Sequence, residues 1–168
     1  GVLGVVFPFT STPELARQAV AACRYPPLGR RGSGAPLAAM RWPEAGNYYD
    51  FADENVLVVA IVEDRTALEN IEAIAATPGI DVLYVGPSDL SFSLGLRGEQ
   101  DHPRLRAAVA EIVAAAKRHG RVLGRPGLSA TEIRRFMRQG FRFFMAQTDI
   151  EMMTAGARDL LEPLRKRT

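Results

Sequence analysis

Lysine is nearly absent from this chain: of its 21 basic residues, all but Lys117 and Lys166 are arginines. Both lysines fall late in helical or terminal stretches, so a lysine imine is a poor route to carbonyl chemistry and polarisation by a metal is the route left open. Cysteine is scarcer still. Cys23 alone forms neither an intrachain disulfide nor a multi-thiolate zinc site, and its neighbours Val20, Ala21 and Ala22 predict a buried helical position. No sign of charge dominates. The 21 basic and 19 acidic residues leave +2, too small a field to imply nucleic acid or an anionic membrane as partner. No run of 18 apolar residues occurs and the opening Gly1 to Thr10 carries no basic stretch, so neither a spanning helix nor a signal peptide is expected. The expectation is a soluble, cytoplasmic protein.

What is present is ordinary globular composition: 168 residues with 47% hydrophobic and 24% charged, enough to bury one sizeable core and against disorder. One pattern repeats five times, a short β-branched apolar run, a turn, and a longer amphipathic stretch. The apolar runs are Val2 to Phe9, Val56 to Val62, Val82 to Val85, a weaker one at Val122 and Leu123, and Phe141 to Ala146. Their near-continuous apolar character predicts strands covered on both faces. Thr12 before Pro13 and Glu14 reads as a helix start, as do Asp101-His102-Pro103 and the capping box Ser129-Ala130-Thr131-Glu132; Gly120 and Gly140 fall at helix ends. Strands alternating with helices imply right-handed βαβ crossovers and a parallel sheet. The long segment Arg24 to Asn55, rich in proline and glycine, is expected to be an extended loop with one short helix, and a loop that long usually makes contacts or carries function. Nothing divides the chain, so residues 1–168 are expected to form a single domain. Five βα units fit an open flavodoxin-like sheet by length, or part of a (β/α)8 barrel.

Two carboxylates stand where parallel α/β folds place their sites. Glu63 ends the run Val56 to Val62, and Asp89 follows the next run in Gly86-Pro87-Ser88-Asp89-Leu90-Ser91. Hard oxygen ligands at neighbouring strand ends suit Mg²⁺ or Mn²⁺ with positions left for water and substrate. Helix capping is the competing role, for which Asp64 is the better candidate. Gly86-Pro87 makes a tight turn that lets a small anion approach the N–H groups of the following helix. Arg125, in Leu123-Gly124-Arg125-Pro126-Gly127, stands at a strand end and is the one arginine nominated as catalytic, against a rim salt bridge. His102 and His119 read as surface residues. Trp42, Tyr48, Tyr49 and Phe51 read as packing aromatics, Met145, Met152 and Met153 as core or interface filling, and Arg134, Arg135 and Arg138 as a solvated helix face.

The run Arg24-Tyr25-Pro26-Pro27-Leu28-Gly29-Arg30-Arg31-Gly32-Ser33-Gly34, the Trp42 region, the strand ending in Glu63, and Gly86 to Ser91 together resemble the HpcH/HpaI family of metal-dependent pyruvate aldolases, in register over nearly the whole chain. The resemblance implies a (β/α)8 TIM-barrel type fold of which this chain supplies the last five βα units, strands 4–8. It implies an aldehyde-lyase that makes or cleaves 4-hydroxy-2-oxo acids from pyruvate and an aldehyde through a metal-stabilised enolate, with Mg²⁺, Mn²⁺ or Co²⁺ as cofactor. By the same match, Glu63 and Asp89 are the metal ligands, Ser88 lies with its backbone beside the pyruvate carboxylate, and Ala35 lines the acceptor aldehyde pocket. Two departures follow from it. Ile61 stands where the family usually has a glutamine, and the family's general acid/base histidine and carbonyl-polarising arginine belong to the three preceding βα units. The alternative expectation is therefore a catalytically impaired partial barrel that binds metal or an oxoacid or serves oligomerisation. Exposed edge strands at Val2 to Phe9 and Phe141 to Ala146 predict a homo-oligomer.

Overall fold

The computed structural model describes residues 1–165, apart from the side chain of Ala35. In chain order the elements are β1 (Gly4–Phe7), α1 (Pro13–Cys23), α2 (Ala35–Ala39), α3 (Tyr48–Asn55), β2 (Leu57–Val62), α4 (Arg65–Glu69), α5 (Ile71–Ala76), β3 (Val82–Val85), α6 (Pro87–Ser93), α7 (Pro103–Arg118), β4 (Val122–Pro126), α8 (Ala130–Gln139), β5 (Phe141–Met145) and α9 (Asp149–Arg165). The strands pair in parallel in the order β1-β2-β3-β4-β5. This order differs from that of a flavodoxin-like sheet. A flavodoxin-like sheet reverses direction at a switch point, whereas strands added strictly in sequence by same-handed crossovers keep their helices on one face.

The period-2 alternation of β2 sorts its side chains between two apolar layers. Val58, Ala60 and Val62 join the main core under the helices with Leu83, Val85, Ile112, Leu123 and Phe141. Val59 joins Val82 and Tyr84 on the other face, with Ile61 and Phe143 packed against them. Gly124 makes room there. A Cβ on it would come within 2.7 Å of the Tyr84 ring, which meets Phe143 edge to face at 6.2 Å.

Helix ends follow their sequence signals closely. Thr12, Asp64 and Ser129 each accept the N–H three residues on, and His102 caps α7 through Nδ1, accepting the N–H two residues on. Cys23 is buried at the end of α1, as its neighbours predict. The stretch Arg24 to Asn55 holds two helices rather than one. The segment after Asp64 is split between α4 and α5 by Asn70, whose side-chain amide donates to the carbonyls of Thr66 and Ser11 in place of a continuous helix. Helix α9 buries none of its residues and exposes Ile150, Met153, Leu160 and Leu164. Among the described residues no helix is long and apolar enough to cross a membrane.

Candidate metal and oxoacid site

Glu63 is the first residue beyond β2, and the alternation through Val59 and Ile61 carries it to the face opposite the helices. It is buried, with 6% of its surface exposed. One oxygen is held: the Phe9 N–H donates to Oε1 at 2.7 Å. Phe9 sits in the left-handed region at φ 48° in the connection after β1. That connection is tied down by Thr10, whose hydroxyl donates to the Phe7 carbonyl, and by Ser11, whose hydroxyl donates to Asp64. Asp64 is the cap of α4, accepting from the Ala67 N–H at 2.6 Å, which leaves Glu63 free of that role.

Gly86 closes the other side. Its N–H donates to the Val62 carbonyl at 3.1 Å, and a Cβ on it would fall 2.7 Å from Cβ and 2.9 Å from Oε2 of Glu63, and 3.1 Å from Cγ2 of Ile61. Only a glycine lets Glu63 stand where it does. Pro87 is buried at the start of α6; Ser88 is exposed in its first turn, its carbonyl accepting from the Ser91 hydroxyl at 2.6 Å. Asp89 completes that turn, exposed and making no hydrogen bond or ion pair with a cation among the described residues.

The Glu63 carboxyl feels both its burial and the charge of Asp89. Burial pushes the Glu63 carboxyl above its ordinary value, the Phe9 N–H opposes this, and the charges of Asp89 and Asp64 push it further up. Glu63 thus holds its proton to higher pH than an ordinary glutamate until a positive charge arrives. The donor set fits a hard divalent cation: one oxygen of Glu63 remains open beside Asp89, and among the described residues no basic side chain pairs with either. Among the described residues no third histidine, cysteine, aspartate or glutamate joins them, so the rest of the coordination falls to water and ligand.

Arg125 does not join this site. On β4 it follows Gly124, which faces Tyr84 and Phe143, so it points to the helix-covered side, its guanidinium carbon 3.4 Å from the Phe136 ring centroid. It stands apart from Glu63 and Asp89, and among the described residues it makes no salt bridge. Ala35 opens α2, and its side chain lies outside the described residues. His119 pairs with Glu72 at 3.0 Å on the surface, and Trp42 and Tyr48 both pack on Phe51. The Phe9 N–H and the Gly86 close approach escaped the sequence reading. A left-handed residue between Pro8 and Thr10 has no local signature, although glycine before a proline at a strand end is a recognisable place for close backbone approach.

The family model described as HpcH/HpaI aldolase/citrate lyase matches residues 1–155. A 5-keto-4-deoxy-D-glucarate aldolase of Klebsiella pneumoniae is 34% identical over 99% of this chain and 65% of its own length. A hydroxypyruvate/pyruvate aldolase of Cupriavidus necator is 37% identical over 99% of this chain and 62% of its own. The crystal structure of a HpcH/HpaI aldolase/citrate lyase family protein from Burkholderia cenocepacia J2315 superposes with a TM-score of 0.86 at 32% identity, covering 98% of this chain and 66% of that one. The chain therefore spans just under two thirds of the length of each of these relatives.

Proposed function

The chain belongs to the HpcH/HpaI aldolase/citrate lyase family, and from that premise we propose that it is a metal-dependent carbon–carbon lyase acting on 4-hydroxy-2-oxo acids, with pyruvate and an aldehyde as the other side of the reaction. The pairing of Glu63 with Asp89 carries this reading: two carboxylates, one just beyond β2 and one in the first turn after β3, with no cationic partner among the described residues. They would hold the divalent cation, Mg²⁺ or Mn²⁺ by oxygen-donor chemistry and Co²⁺ as a third candidate. The five strands are read as strands 4–8 of a (β/α)8 barrel, and residues 1–168 as one domain, in a soluble and cytoplasmic protein without nucleic-acid or membrane partners.

A cation bound there would polarise the 2-oxo group and offset the negative charge that grows as the C3 proton leaves. The chain's own residues orient the rest. The Phe9 N–H fixes Oε1 of Glu63, so the carboxylate is presented in one orientation without side-chain reorganisation. Gly86 and Pro87 bring the backbone close, and the first-turn N–H groups at Ser88 and Asp89, which a helix cannot satisfy internally, face an incoming carboxylate. Ala35 is proposed as part of the aldehyde pocket.

Ile61 favours a second reading. Its side chain lies within reach of Gly86 and supplies no hydrogen bond to a substrate. On that reading the chain binds metal or oxoacid, or serves oligomerisation, without turnover. Exchange of the pyruvate methyl protons into deuterated water, with Mg²⁺ present, separates the two. Exchange that disappears in Glu63→Gln supports the lyase; a chain that binds the cation yet exchanges no protons belongs to the second reading.

A further inference from the structure

Arg125 is a half-buried charge that the proposed chemistry does not use. Its Nε is buried and has no hydrogen-bond partner, and it forms no ion pair among the described residues. Phe136 lies 3.4 Å and Phe141 5.3 Å from its guanidinium carbon, and such faces offset only part of the cost of desolvating a cation. Burial accordingly pulls the guanidinium below its ordinary pKa. The nearest acidic influence, Glu132, is already engaged by the Leu128 N–H at 2.9 Å and by Arg135 at 3.7 Å.

Arg125 opens onto a cavity of about 430 Å³ between α7 and α8. Two more guanidinium groups line it, Arg106 and Arg135, both on exposed residues. Arg106 uses Nη1 on the Asp101 carbonyl at 2.6 Å, which leaves further N–H groups free. Leu105, Val109 and Phe136 supply apolar wall, Gln100 and Gln139 add neutral polar groups, and Asp101 is the one acidic residue among those that line the cavity. Three positive groups against one negative, around an apolar floor of ligand-sized volume, describe a receptor for an amphipathic anion.

We propose that this cavity binds a small organic anion, a carboxylate or phosphate head on an apolar body, at a site distinct from the Glu63 and Asp89 pair. The head sits against the Arg125 guanidinium with Arg106 and Arg135 around it. The apolar body lies on Leu105, Val109 and Phe136.

Benzoate and phenyl phosphate are the probes, titrated into the full chain by ligand-observed NMR with a chelator present so that no cation recruits them to Glu63. Saturable binding below about 10 mM by at least one probe is expected, and the tighter of the two identifies the head group. Binding weakens about tenfold or more in Arg125→Met, while its melting temperature without ligand does not fall, because an unpartnered guanidinium has been replaced by an apolar side chain of similar reach. The exposed pair Arg106→Met/Arg135→Met weakens binding without a fold penalty and serves if Arg125→Met fails to fold. Absence of saturation by either probe, or unchanged affinity in these variants, overturns the proposal.

Discussion

Gly86 and Phe9 make Glu63 what it is, one by having no side chain and the other by lending its backbone. A methyl group at position 86 meets Oε2 of Glu63 at 2.9 Å and Cβ at 2.7 Å, inside ordinary contact, so Gly86→Ala must push the carboxylate or the turn aside. The expected outcome is a loss of Mn²⁺ affinity of about tenfold or more, roughly one carboxylate's worth of coordination geometry, with the circular dichroism of the folded chain retained; unchanged affinity would mean that Glu63 is not held by this contact. The positions of the two carboxylates were legible: Glu63 follows the last residue of β2, Asp89 lies in the first turn after β3, and Asp64 takes the cap. The partner N–H of Phe9 lies 54 residues away in sequence and could not be read. The face that Arg125 takes was not legible, because the run of β4 is short, contains a glycine, and its pairing with β5 shifts register between Leu123 and Gly124.

At the scale of elements, helix starts were the most legible feature, because a cap is a local hydrogen bond between residues two or three apart. In α8 the box is reciprocal: Ser129 Oγ accepts from the Glu132 N–H at 3.2 Å and the Glu132 carboxylate accepts from the Leu128 N–H at 2.9 Å. Ser129→Ala is therefore expected to cost about 1 kcal/mol, a fall in melting temperature of about 2–4 °C for a chain of this size, read by a thermal melt. No shift would show that the start of α8 is held by its packing alone. Strand cores were likewise read from apolar runs, but their ends were not. Residues flanking β1 and β5 are as apolar as the strands, and only pairing decides where the ladder stops. The division between α4 and α5 depends on Asn70 reaching the Ser11 carbonyl, a tertiary contact that periodicity does not encode.

The order β1-β2-β3-β4-β5 is a property of the whole molecule, and it differs from the flavodoxin-like order that alternating strands and helices also allow. It also leaves β1 and β5 paired on one side only, and α9 with an uncovered apolar face. Unpaired edges and exposed apolar helices are normally covered. Light scattering on the purified 168-residue chain is expected to give a mass above that of one copy; a clean monomer would count against association. The chemistry rests on the two neighbouring strand ends behaving as one cation site. Titration of Mn²⁺ into the chain and into Glu63→Gln and Asp89→Asn, followed by the electron paramagnetic resonance of the free ion, tests this most directly. One ion bound per chain, with affinity lost in each variant, is the predicted result. Equal affinity in all three proteins would contradict it and place the cation, if any, elsewhere.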